Sequence, residues 1–212
     1  MRAALIDYGS GNIASAAKAL GRAASQGSGH EITVTADPDI VRKSERIILP
    51  GVGAFADCMQ GLSAVPGMID ALNESVIRDG RPILGICVGM QLMATAGREF
   101  GIHKGLDWIG GEVVPIRPAD PLLKIPHMGW NEIDRMQNHP LFAGLDADAN
   151  AYFVHSFEMK PGNAAHLLAT TDYGGAITAA IGRDNIVGTQ FHPEKSQGVG
   201  LQILANFLNW KP

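Results

Sequence analysis

The segment Pro82-Ile83-Leu84-Gly85-Ile86-Cys87-Val88-Gly89 constrains the fold more than any other. A short apolar run that ends in a cysteine between two glycines reads as a buried strand turning sharply into a helix. The glycines let neighbouring backbone approach a tight turn closely. A strand without polar alternation belongs in a parallel sheet covered on both faces. The residues before it repeat the same rhythm. Residues 3–7, 31–35 and 46–49 read as strands; 12–23, 37–43 and 68–78 read as helices; and 88–96 reads as the helix after the cysteine. Asn12 and Asp37-Pro38 read as helix starts. This alternation predicts an α/β fold: an open, mostly parallel, doubly wound sheet with helices on both faces and ligands at the carboxyl ends of its strands.

Beyond about residue 101 the rhythm changes. Strand-like pieces follow at 112–116, 131–134, 151–154, 166–171, 176–181 and 186–190, with a hairpin turn at 182–185 and a closing amphipathic helix at 198–210. The C-terminal half is therefore expected to be strand-rich. No linker, repeat or low-complexity stretch interrupts the 212 residues, so 1–212 reads as a single domain. Hydrophobic residues make up 46% and charged residues 18%, as in ordinary globular chains. A net charge of −4 without a basic cluster argues against nucleic acid as a partner. No apolar run has the length of a membrane span, and the first residues read as a strand ending in Asp7 rather than a signal peptide. Two cysteines, Cys58 and Cys87, supply no disulfide framework, which predicts the reducing cytoplasm.

Chemistry concentrates in two segments. The elbow would present the Cys87 thiol at a helix N-terminus, where free N–H groups favour a thiolate. The second segment is Gln190-Phe191-His192-Pro193-Glu194. In an extended segment His192 and Glu194 leave the same face, so Glu194 can hold the imidazole while His192 meets the thiol. Each segment alone has a plainer explanation: a core cysteine, or a histidine paired with a surface acid. Together they read as nucleophile, base and orienting acid. Pro50-Gly51-Val52-Gly53, after the third strand, reads either as a simple turn or as a loop offering a Val52 or Gly53 N–H to an oxyanion, with the Val88 N–H as second donor. Gly9-Ser10-Gly11-Asn12-Ile13-Ala14, with Asp37 further on, matches a dinucleotide fingerprint. A tight first strand-to-helix turn explains it equally well and is preferred, because the cysteine and histidine segments leave a nucleotide nothing to do. Neither metal-ligand spacing nor a triphosphate loop is present, so no metal and no cofactor are expected.

These motifs resemble the triad-type, class I glutamine amidotransferases. The resemblance rests on Pro50-Gly51-Val52-Gly53, on residues 85–91 and on residues 190–196. Within that family the chain is most similar to the branch that forms the glutaminase subunit of imidazole glycerol phosphate synthase. The features pointing there are residues 7–12, 126–131 and 152–157, and Lys195. Val88 stands where the family usually carries leucine. The resemblance implies hydrolysis of glutamine to glutamate and ammonia. It implies that Gln91 and Glu99 contact the amino-acid end of glutamine, that His155, Ser156 and Phe157 line its pocket, and that Trp130, Tyr152 and Lys195 face a barrel-shaped cyclase in a heterodimer. A sister amidotransferase, a silent binding module and a self-sufficient cysteine peptidase are the rivals. Trp130 and Lys195 argue against the first, the complete triad against the second, and a need for a partner would exclude the third.

Overall fold

The computed structural model describes residues 1–212. Its strands and helices run β1 (Arg2–Ile6), α1 (Ile13–Ala23), β2 (Glu31–Thr35), α2 (Pro38–Arg42), β3 (Arg46–Gly51), α3 (Phe55–Ala64), α4 (Met68–Leu72), β4 (Ile83–Cys87) and α5 (Val88–Gln91). There follow β5 (Ala96–Gly97), β6 (His103–Lys104), β7 (Gly111–Pro115), β8 (His127–Glu132), β9 (Asp134–Arg135), β10 (Asn150–His155), β11 (Phe157–Pro161), β12 (Leu167–Asp172), β13 (Ala176–Arg183), β14 (Ile186–Thr189) and α6 (Gln197–Asn209).

One eight-stranded sheet organises the chain, in the order β2-β1-β3-β4-β14-β13-β12-β9. The pairs from β2 to β14 are parallel, and those from β14 to β9 antiparallel. The sheet is thus mixed, its parallel part built from the alternating first half of the chain. The chain steps from β1 outward to β2 and then back across β1 to β3. Such a reversal opens a crevice at the carboxyl ends of the strands. Strands β4 and β14 bury every residue, and β3 every residue after Arg46, as apolar runs without alternation require. Two smaller sheets, β10-β8 and β11-β7-β5-β6, stand beside the large one. No helix is long and apolar enough to cross a membrane.

Two local features differ from the sequence reading. The helix after the cysteine is one turn, Val88–Gln91, not residues 88–96. The carbonyls of Leu92, Met93 and Ala94 accept from the N–H groups of Leu106, Trp108, Ile109 and Asp107, so a neighbouring segment replaces the helical ladder. Helix α3 has no sequence counterpart. Ala54 caps it with no side chain, and Glu99 accepts the Phe55 N–H instead, at 2.8 Å. Asp37, read as a helix start, does cap α2, its carboxylate accepting the Asp39 N–H at 2.8 Å.

Candidate active site

The carboxyl ends of β3, β4 and β14 converge on a cleft of about 610 Å³. Val52, Gly53, Cys87, Val88, Gln91, Glu99, His155, Ser156, Phe157, His192 and Lys195 line it. Glu194 lies behind His192, while Trp130 and Tyr152 lie outside the cleft. Gly11, Asn12, Pro126 and Val154 complete the lining.

The elbow is backbone geometry before it is chemistry. Cys87 ends β4 at φ 54° and ψ −114°, left-handed for a residue with a Cβ. Such strain persists only where surrounding packing imposes it. A Cβ on Gly51 would meet the Gly89 nitrogen at 2.6 Å, and one on Gly89 would collide with the Leu49 carbonyl. Only glycine lets α5 start against the end of β3, beside the Pro50–Gly53 loop. The Val88 N–H, first in α5, has no partner in that helix's own ladder.

His192 Nδ1 lies 2.8 Å from Glu194 Oε1, with side-chain exposures of 2% and 3%. A carboxylate accepts only, so Nδ1 carries the proton and Nε2 is the reactive nitrogen. Nε2 is buried and makes no hydrogen bond. Burial alone would lower the pKa of His192. Cys87 and Glu194 outweigh it and raise it to about 9. Ser196 fixes the backbone here, its hydroxyl donating to the His192 carbonyl at 2.7 Å and accepting the Tyr152 N–H at 3.0 Å.

The Pro50–Gly53 loop is tied from behind. The Tyr8 hydroxyl donates to the Pro50 carbonyl at 2.7 Å. The Ser10 hydroxyl donates to the Val52 carbonyl at 2.7 Å and accepts the Val52 N–H at 3.2 Å. The Cys58 thiol donates to the same carbonyl at 3.2 Å. The Val52 N–H is therefore directed at Ser10. Gly53, at φ 99°, spends no N–H on another backbone group.

On the opposite wall, Gln91 Nε2 donates to the Phe157 carbonyl at 3.1 Å and to Gln190 Oε1 at 3.0 Å, leaving only its own oxygen for a ligand. His155 Nδ1 donates to the Phe157 carbonyl at 2.9 Å, and its Nε2 faces His127 Nδ1 at 3.0 Å. Burial lowers both histidines to about 4, so the pair is neutral. Beyond the cleft, Trp130 and Tyr152 are cross-strand partners in β8 and β10, with ring centroids 6.2 Å apart. The Lys195 ammonium lies 5.7 Å from the Tyr152 ring centroid. These three side chains form one continuous patch, extended by exposed Met128 on the same face of β8.

The family profile described as glutamine amidotransferase class-I matches residues 4–210. The imidazole glycerol phosphate synthase subunit HisH of Rhodospirillum rubrum is 58% identical over 214 residues, covering 100% of both chains. The subunit of the same name from Zymomonas mobilis is 55% identical over 210 residues, covering 99% of this chain and 96% of its own. The chain belongs to the class I glutamine amidotransferases. Within that family it sits in the HisH branch, as a glutamine amidotransferase subunit. Among solved structures, a glutamine amidotransferase superposes with a TM-score of 0.70 at 15% identity, over 95% of this chain and 98% of its own. Another from Thermotoga maritima gives 0.61 at 14%, over 92% and 76%. At such identities these two speak for the fold.

Ser10, Asn12 and Gln190 are the site neighbours that sequence reasoning did not single out. Ser10 and Asn12 sit in the glycine turn taken only as a bend, and Asn12, read as a cap, makes no capping bond. Gln190 stood in the motif without a role, although a polar residue ending a buried strand is itself a signal.

Proposed function

We propose that this amidotransferase domain, residues 1–212, hydrolyses glutamine through Cys87, His192 and Glu194 and passes the ammonia to a cyclase subunit. The Cys87 thiolate attacks the side-chain amide carbon. The oxyanion is stabilised by the Val88 N–H and by an N–H from Val52 or Gly53. His192, oriented by Glu194, gives its proton to the amide nitrogen as the C–N bond breaks, so that it leaves as ammonia, and then takes a proton from the water that cleaves the thioester. Gln91 through its oxygen, Glu99 through its free carboxylate oxygen, and the backbone of His155, Ser156 and Phe157 hold the amino-acid end of the substrate.

The observation that carries this reading is the buried 2.8 Å pair of His192 and Glu194 in the same cleft as a cysteine held at a strained elbow. The relatives named as imidazole glycerol phosphate synthase subunits support a partner subunit in that synthase; we take that partner to be a barrel-shaped cyclase that meets the Trp130, Tyr152 and Lys195 patch in a heterodimer, with the ammonia used to make imidazole glycerol phosphate in cytoplasmic histidine biosynthesis. Cys87→Ala in the complex tests it. Synthesis driven by glutamine should be lost while synthesis driven by added ammonium persists. Retained glutamine use by that variant would refute the nucleophile.

A further inference from the structure

Gln190 follows β14 and has no solvent exposure. Its amide nitrogen donates to the Cys87 sulfur at 3.6 Å, and its amide oxygen accepts from Gln91 Nε2 at 3.0 Å. The chemistry of the neighbours fixes this orientation. The Phe157 carbonyl can only accept, so Gln91 presents its nitrogen there and, from the same nitrogen, donates to Gln190. The Gln190 atom facing Gln91 must then be oxygen, and the one facing sulfur must be nitrogen. The run continues behind the Phe157 carbonyl. His155 Nδ1–H donates to it, so His155 Nε2 accepts from His127 Nδ1. His127 Nε2 accepts in turn from Asn131 Nδ2 at 3.2 Å, and Asn131 is fixed by donating to the Asp172 carbonyl at 2.8 Å. Every donor and acceptor has one consistent role, and one end of the run lies on the sulfur.

We propose that Gln190 is a third partner of the nucleophile, a hydrogen-bond donor that fixes the Cys87 side chain and stabilises negative charge on its sulfur. This rests on the reading of Cys87 as nucleophile. Sulfur carries charge twice in that reaction. It does so first as the attacking thiolate, with His192 protonated beside it. It does so again when water has added to the thioester carbonyl, the C–S bond breaks and the electron pair returns to sulfur. Between these moments His192 gives its proton to the departing amide nitrogen, which leaves as ammonia, and takes another from water. Its charge therefore changes during the cycle, whereas the Gln190 amide does not titrate and stays a donor throughout. A hydrogen bond to a charged group is worth about 10- to 100-fold in the step that needs it. The amide reaches sulfur rather than the amino-acid end of glutamine, so its loss belongs in kcat.

Two variants test this. Gln190→Met keeps length and removes the donor. Gln190→Glu keeps the acceptor for Gln91 but turns an acceptor toward sulfur. The readouts are kcat and KM for glutamine in the complex with its cyclase, and the alkylation rate of Cys87 by iodoacetamide at pH 6. Both variants should lose about 10- to 100-fold in kcat with KM changed less than about threefold. Alkylation should slow by about threefold or more, because losing the donor costs thiolate population more than it gains in nucleophilicity. Gln190→Glu should be the slower of the two. Ammonia-driven synthesis by the complexes controls for folding; if Gln190→Met fails that control, the near-isosteric Gln190→Glu decides. Wild-type kcat and alkylation in a folded variant would overturn the proposal, as would a defect confined to KM. If Cys87→Ala itself kept glutamine hydrolysis, the nucleophile reading would fail instead, a result separable from these.

Discussion

The two faces of the Pro50–Gly53 loop place one cysteine each, and they treat it in opposite ways. On the cleft side Cys87 sits in a strained turn at a strand end, with His192 and the Gln190 amide beside it. On the packed side Cys58 lies within α3, fully buried, against Ser10 and the Val52 carbonyl. Burial raises the Cys58 pKa and keeps that thiol neutral. The same functional group is thus a candidate nucleophile in one place and a packing and hydrogen-bonding group in the other. What separates them is backbone: a sheet end that opens onto a crevice against a helix face that does not.

Substitution of each cysteine is the sharpest way to break this contrast. Cys87→Ala should abolish glutamine hydrolysis, while Cys58→Ala should leave turnover near wild type and cost about 0.5–3 kcal/mol of stability. Steady-state glutamate release and a denaturant titration read both. The histidine and glutamate come next. In the proposed mechanism His192 moves protons in both half-reactions, whereas Glu194 only orients it, and losing an orienting acid in a comparable triad costs up to about 10⁴ in rate. His192→Ala should be at least as damaging as Glu194→Gln. A Glu194→Gln enzyme with wild-type turnover would make that carboxylate structural.

A smaller effect is expected at the loop itself. On the proposal that Val52 supplies the second oxyanion donor, its N–H, held by Ser10, is turned away from that task, and one missing oxyanion donor is worth about 10²–10³ in turnover. The isolated chain should therefore be a poor glutaminase that the cyclase, and then the cyclase with its ligand, stimulates. Ser10→Ala should raise the activity of the isolated chain by up to that factor. Equal turnover with and without partner would remove gating from the account.

The opposite His shifts give the mildest test. His192 is raised to about 9, so its share of stability is full below about pH 6.5 and is lost as pH rises through 9. His127 and His155 are lowered to about 4, so theirs is present above about 6.5 and is lost as pH falls toward 4. Thermal melts should fall on both sides. His155→Gln should flatten the acid side, and His192→Gln the alkaline side.

The parallel half of the fold was legible in the sequence because β1, β3 and β4 are mostly apolar runs, β2 is β-branched, and helical segments alternate with them. Cys87 stood out through its flanking glycines, and His192 and Glu194 through their two-residue spacing; each segment carries its own local signal. Helix α3 was not, although Phe55, Cys58 and Leu62 recur with helical spacing, because the acceptor at its start is Glu99, distant in sequence. Residues 92–96 misled for the converse reason. They have helix-forming composition, but residues 106–109 take their carbonyls. Ser10 and Gln190 acquire meaning only from partners far along the chain: Val52, Gln91 and Cys87.

The central claim is that the two thiols differ in kind, and covalent trapping tests it most directly. The chain in complex with its cyclase would be treated with a glutamine-shaped chloroketone and digested for mass spectrometry. The account predicts one adduct, on Cys87, blocked by excess glutamine and absent from Cys87→Ala, with Cys58 unmodified. Labelling of Cys58, or an adduct that survives Cys87→Ala, would contradict it.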